Sequence, residues 1–259
     1  MPEGETTVSL VGVDIGNTSV KIARRTSDGW QAFLRVPTTP VDELADRIRA
    51  ELPEEEREHV AESRCVACSV HPAANEPLTD LWGSEFGTAI EFFGRDLPVP
   101  LPTTVREPEK VGTDRLLLAL GAVTLHGAPC IVVSAGTAVT VDLVDAEGRF
   151  AGGAIAPGLR LAADALERNT ALLPHVRLGV PSDIQPGRDT VEAIQRGVYW
   201  SCAGGVLALL GGYRTVAGSQ NVTLVCSGSD ARLLLPALPR EGTVHEPLLI
   251  FHGMEAALR

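Results

Sequence analysis

Two short stretches of the same design constrain this chain more than any other feature. Val13-Asp14-Ile15-Gly16-Asn17-Thr18 and Val133-Ser134-Ala135-Gly136-Thr137-Ala138 each follow an apolar run, turn at a glycine and lead into a second apolar run. The pattern predicts a strand over 7–14, a turn at 16–18 and a strand over 19–24, then strand, tight turn, strand, a turn at DAEGR and a third strand within 130–155. Two such units in a chain of 259 residues suggest two halves built on one plan, each offering a strand-turn-strand to a shared cleft. The boundary is expected within 112–128, giving domains of 1–115 and 116–259.

Between these stretches the periodicity is helical. TTPVDELADRIRAEL predicts a helix with Thr39 as N-cap, Pro40 at the first helical position and Leu44 and Ile48 on one face. PEEERE (53–58) reads as a solvated surface run. RCVACSV (64–70) reads as a buried strand, 75–82 as a short helix and the proline-rich 97–110 as a connector. Helices are expected over DRLLLALGAVTLHG, closing at Gly127, and over 159–168, 189–214 and 229–236, with a strand at 222–226. Strands alternating with helices give an α/β class.

Each glycine turn has two readings, and both stay open at this point. One is a plain hairpin. The other is a phosphate cradle, because backbone N–H groups can approach an anion where no side chain intervenes. At the first turn Asn17 and Thr18 add neutral donors, Lys21 adds a positive charge and Asp14 could hold Mg²⁺ through water. At the second, Gly136 and Thr137 could meet the other side of a phosphate chain. Asp114, in VGTDR, could serve as a general base for a hydroxyl, and Arg115 could grip a carboxylate; a helix start with an acid near its positive end accounts for the same residues. GGAIAPGL (152–159) could bring backbone close to a ligand or be a strand-to-helix turn.

Other chemistries are excluded or unsupported. There is no GxxxxGK[ST], no GxSxG and no HExxH. Cys65 and Cys68 form a CxxC, but on a strand they face opposite sides and cannot share a metal. A net charge of −11 argues against nucleic acid or an anionic membrane as partner. No apolar run reaches the roughly 18 residues that span a bilayer. MPEGETTVSL lacks a basic flank and an apolar segment, so no secretory signal is expected. Five cysteines, an odd number, fit a reducing cytoplasm.

Taken in order, DIGNTSVK (14–21), GTDR (112–115), SAGTAVTVDLVDAEGRFAGGAIAPGL (134–159), LERNTALLP, GRDTVEAIQRG and the ending SGSDARLL…EPLLIFHGMEAAL resemble the type III pantothenate kinase family, of the acetate and sugar kinase, Hsp70 and actin superfamily. The resemblance implies two ribonuclease-H-like, actin-like ATPase domains with mixed sheets and an interdomain active-site cleft. It implies transfer of the ATP γ-phosphoryl group to the primary hydroxyl of pantothenate, in a cytoplasmic homodimer that uses Mg²⁺ and a monovalent cation (K⁺ or NH₄⁺). By position, Asp14, Ile15, Gly16, Asn17, Thr18, Ser19, Val20 and Lys21 would hold ATP phosphates, with Asp14 orienting the metal and Gly136 and Thr137 also contacting ATP. Gly112, Thr113, Asp114 and Arg115 would hold pantothenate, with Asp114 as proton acceptor, and Thr190 would reach it from near a subunit interface. The small-residue-rich helix 189–214 is expected at that interface.

Three positions depart from the family pattern. Ser134 stands where the family has the Asp that ligates the monovalent cation, and an uncharged hydroxyl binds K⁺ less well. Val105 stands where the family has a pantothenate-contacting Tyr. Cys226-Ser227-Gly228 replaces Thr-Gly-Gly. These departures keep two alternatives in view: a kinase-like regulator that binds without turnover, and a kinase for a different small hydroxy acid.

Overall fold

The structure, a computed structural model, describes residues 9–219 and 221–259. The chain divides into two compact units: Met1–Pro100 with Val111–Gly121 and Ile250–Arg259, and Leu101–Lys110 with Ala122–Leu249.

The first unit is built on β1 (Leu10–Ile15), β2 (Ser19–Thr26), β3 (Gly29–Pro37), β4 (Arg64–Ser69) and β5 (Ile90–Phe92), in the order β3-β2-β1-β4-β5. The three leading strands are antiparallel and the last two run parallel to β1. Val11, Val13 and Ile15 alternate onto one face. There they join Leu44 and Ile48 of α1 (Leu44–Glu51), Val60 of α2 (Glu54–Glu62) and Leu78 and Leu81 of α3 (Asn75–Leu81). Each of these side chains contributes about 1.5–3 kcal/mol by leaving water.

Two expectations fail in this unit. Thr39 makes no cap: a 3₁₀ turn at Val41–Glu43 follows Pro40, and the α-helix begins only at Leu44. The preceding Thr38 is fully buried and continues the sheet, donating its N–H to the Thr18 carbonyl, so residues 38–40 serve the sheet edge before any helix can start. PEEERE is also more than a solvated run. It forms the first turn of α2, where Glu54, Glu55 and Glu56 face the positive helix end, and Glu56 is buried against Arg24 at 2.9 Å. Residues 7 and 8 of the expected first strand lie outside the described residues.

The second unit repeats the plan with β6 (Cys130–Ala135), β7 (Ala138–Val144), β8 (Phe150–Pro157), β9 (Thr223–Ser227) and β10 (Thr243–His245). Its order is β8-β7-β6-β9-β10, with the same antiparallel trio and parallel pair. Ile131, Val133, Val139, Val141, Leu224 and Cys226 form one face of the core, covered by α5 (Leu159–Arg168) and α6 (Thr190–Val216). The expected helix at 229–236 is only Ala231–Leu234 (α7 in this unit), followed by a 3₁₀ turn at Leu235–Ala237. Sequence patterning missed β3, β5, β10, α2 and the C-terminal helix Leu249–Ala257 (α8). One further helix, α4 (Thr113–His126), precedes β6 in the chain.

Candidate functional site

The first glycine turn is drawn tight. The Gly16 N–H donates to the Ser19 carbonyl at 3.1 Å, and Thr38 Oγ1 donates to the Gly16 carbonyl at 2.7 Å. Ile15 and Val20 are fully buried, so of the expected phosphate-binding set these two can present only backbone. Asp14 and Lys21 are direct cross-strand partners, and Lys21 Nζ lies 3.3 Å from Asp14 Oδ2. Both side chains keep about a fifth of their surface in water, 17% for Asp14 and 21% for Lys21. A carboxylate that is neutralised by an ammonium, yet reachable, is a hard oxygen donor suited to Mg²⁺. The ammonium itself is placed to meet an anion.

Gly112 precedes the helix Thr113–His126, and its carbonyl accepts from the Arg115 N–H at 3.0 Å. A Cβ on Gly112 would lie 2.6 Å from Asp114 Oδ1, so the glycine makes room for that carboxylate to fold back over the helix start. Gly94, at φ +85°, similarly makes room for the Thr113 hydroxyl. Asp14 and Asp114 converge on one further residue. Cys68 pairs with Asp14 across β1 and β4 and is buried. Burial pushes its thiol well above the ordinary range, and the Asp14 and then the Asp114 carboxylate push it further. Within this unit, therefore, Asp14, with its partner Lys21, and Asp114 both act on Cys68.

The second unit builds its own turn. The Gly136 N–H donates to the Ala138 carbonyl and the Gly158 N–H to the Thr137 carbonyl, both at 2.9 Å. A Cβ on Gly158 would sit 2.0 Å from the Gly136 carbonyl, and one on Gly228 2.2 Å from the Ala135 carbonyl. Both glycines are required for the backbone to close around residues 135–137. Asp230 is buried beside this turn, held by Arg160 Nη2 at 2.9 Å. Ser134 faces Thr140 across β6 and β7 and Ser227 across β6 and β9. The Thr140 hydroxyl is buried without a partner. Ser134 and Thr140 thus place neutral hydroxyl oxygens, not a carboxylate, at this point of the sheet.

Thr190 is the first residue of α6, capped by Asp189, whose carboxylate accepts from the Glu192 N–H at 2.8 Å. It lines a cavity of about 870 Å³ with Pro157, Leu173, Gly187, Ala193 and Ser201. Val105, outside any strand, packs against β8: a Cβ on Gly152 would lie 3.3 Å from Val105 Cγ1. The structure adds Thr38, Cys68, Gly158 and the Asp230–Arg160 pair to what the sequence offered. Gly158 carried a signal within GGAIAPGL, and Cys68 stood out only as half of a CxxC; the pairings of Thr38 and Cys68 are long-range, and no local pattern reveals them.

Comparison with known proteins bears on the whole chain. A family model described as type III pantothenate kinase matches residues 10–210. A type III pantothenate kinase of Rhodopirellula baltica is 39% identical, over 94% of this chain and 96% of that protein. One of Frankia alni is 34% identical, over 95% and 96%. Among solved structures, a Campylobacter jejuni protein described as a candidate Baf family transcriptional activator superposes with a TM-score of 0.60 at 18% identity, over 96% of each chain. A Sinorhizobium meliloti protein described as a candidate 2-dehydro-3-deoxygalactonokinase gives 0.56 at 17%, also over 96% of each. At such identities the two structures speak to the fold alone.

Proposed function

This chain belongs to the type III pantothenate kinase family, and we propose that it transfers the γ-phosphoryl group of ATP to the primary hydroxyl of pantothenate, giving 4′-phosphopantothenate for coenzyme A synthesis. The observation that carries this reading is that Asp14, with its partner Lys21, and Asp114 both act on Cys68 in a chain so similar to named pantothenate kinases. Phosphoryl transfer asks mainly for positioning and charge neutralisation. The Gly16 turn, from Asp14 to Lys21, cradles phosphate oxygens with backbone N–H groups, and the Lys21 ammonium neutralises charge. Asp14 is the residue that would hold Mg²⁺, which would supply further neutralisation of phosphate charge. Asp114 takes the proton from the attacking hydroxyl. Gly112, Thr113 and Arg115 position pantothenate, with Arg115 on its carboxylate. In the second unit, Gly136 and Thr137 serve ATP, and Thr190 and Val105 serve pantothenate.

Three finer features belong to the same proposal. The neutral oxygens at Ser134 and Thr140 support weak or absent activation by K⁺ or NH₄⁺. Exposed Leu172, Ile184, Val191 and Leu207 around α6, with Leu172 91% exposed, support a homodimer. Cysteines that are all free support a cytoplasmic setting; no described helix is long and apolar enough to cross a membrane. The test is an acceptor panel: purified protein with ATP and Mg²⁺ is offered pantothenate and other small hydroxy acids, and products are identified by mass. Phosphorylated pantothenate as the dominant product is expected. Preference for another acid would point to Val105 and a changed acceptor, and ATP binding without any product would point to a regulator.

A further inference from the structure

Apart from the residues given roles above, one group of side chains has the composition of a metal site. Asp164 and Glu167, one turn apart on α5, meet His175 from the segment that follows the helix. Their donor atoms all lie within 4.8 Å of one another, the one such group of three among the described residues. His175 Nδ1 is 2.9 Å from Glu167 Oε2. Metal–ligand bonds of about 2.0–2.2 Å place neighbouring donors roughly 3.0 Å apart at right angles and 3.4 Å apart at a tetrahedral angle. The His175–Glu167 contact is a hydrogen bond, and its length is also the spacing of two ligands on one ion, so an ion could replace the shared proton without moving either side chain far. The third ligand follows from helix geometry, since residues three apart share a face.

The ligands stand on anchored backbone. Ala163, beside Asp164, is buried in the core of the second unit, and so is Val176, beside His175. Leu173, two residues before His175, packs on the same core. His175 and Glu167 themselves reach solvent, with side chains 62% and 41% exposed, so an ion can enter and water can complete its shell.

We propose that Asp164, Glu167 and His175 bind a divalent transition-series cation of the Zn²⁺ class. One imidazole nitrogen and two carboxylates suit Zn²⁺ better than Mg²⁺, which prefers an all-oxygen octahedron. The ion ties α5 to the segment 169–189. That segment carries Leu173 and Gly187 in the wall of the cavity that Thr190 lines, so the ion stiffens that wall. The site is separate from Asp14, and its existence does not depend on the acceptor.

The test is titration of the metal-free full chain with Zn²⁺ alone, by calorimetry and by thermal unfolding, for wild type, His175→Ala and Glu167→Gln. Wild type is expected to take up one Zn²⁺ per chain at this site and to melt higher with it. Either variant should bind at least about tenfold more weakly and lose the shift, while melting like wild type in chelator. Equal uptake and equal shifts in all three proteins would place the ion elsewhere, on thiols or on Asp14, and overturn the proposal. So would absence of uptake by wild type.

Discussion

Asp114 owes its position to a missing side chain. Gly112 leaves the space into which its carboxylate folds, and the helix that follows fixes the backbone on either side. If it is the proton acceptor, Asp114→Asn keeps size and packing and removes the base, so kcat falls by about 10²- to 10⁴-fold with little change in ATP affinity. Steady-state rates beside a nucleotide-binding titration check this. Thr38 makes a subtler prediction. Its buried hydroxyl holds the Gly16 carbonyl; Thr38→Val removes that bond at nearly constant volume, at about 1–3 kcal/mol with the carbonyl left unpaired. Because the turn loosens, KM for ATP should rise while the fold persists, which kinetics and a melt together resolve. The chemistry-bearing residues Asp14, Lys21 and Asp114 were legible in the sequence because glycine, acid and base cluster locally. Thr38 and Cys68 were not, since their roles come from partners 22 and 54 residues away in the chain.

At the scale of elements, the C-terminal helix does work that its sequence hardly advertises. Phe251 and Met254 are fully buried in the first unit, and Phe251 lies over Gly12 of β1 and 5.4 Å from the Trp30 ring. A Cβ on Gly253 would meet the Leu117 carbonyl at 1.9 Å, so Gly253→Val cannot be accommodated without moving a helix, and a loss of about 2 kcal/mol or more in a denaturant melt is expected. Glu255 adds a pH dependence. Burial pushes its carboxyl up, but bonds from Arg259, Arg25 and Trp30 win and hold it below its ordinary value. A lowered folded value means stability present above the unfolded value of about 4.3 and lost as pH falls through the folded one. The melting temperature of wild type should therefore drop more steeply below about pH 5 than that of Glu255→Gln. The long helices and the paired glycine turns were readable from period and punctuation. β3 was not, because a bulge between Ile22 and Ala23 disturbs its pairing, nor were the three-residue β5 and β10, too short to show a period.

Across the whole molecule, the repeat glimpsed in two six-residue stretches extends to two five-stranded sheets of identical order and direction. The two halves share little sequence beyond those stretches, yet their sheets share one topology. Burial also organises the thiols. It raises Cys65 to about 11 and Cys130 and Cys226 to about 12, and lifts Cys68 well above its ordinary value. At pH 8 a thiol reagent should label the native protein at Cys202 at most, and all five cysteines after denaturation. The central claim, however, is catalytic. Its most direct measurement is ATP-dependent phosphorylation of pantothenate, with and without K⁺, by wild type and Asp114→Asn. Turnover by wild type that scarcely responds to K⁺, and its near-abolition in a variant that still binds ATP, is the predicted result. A folded wild type that binds ATP and leaves pantothenate unchanged under every cation would contradict the account.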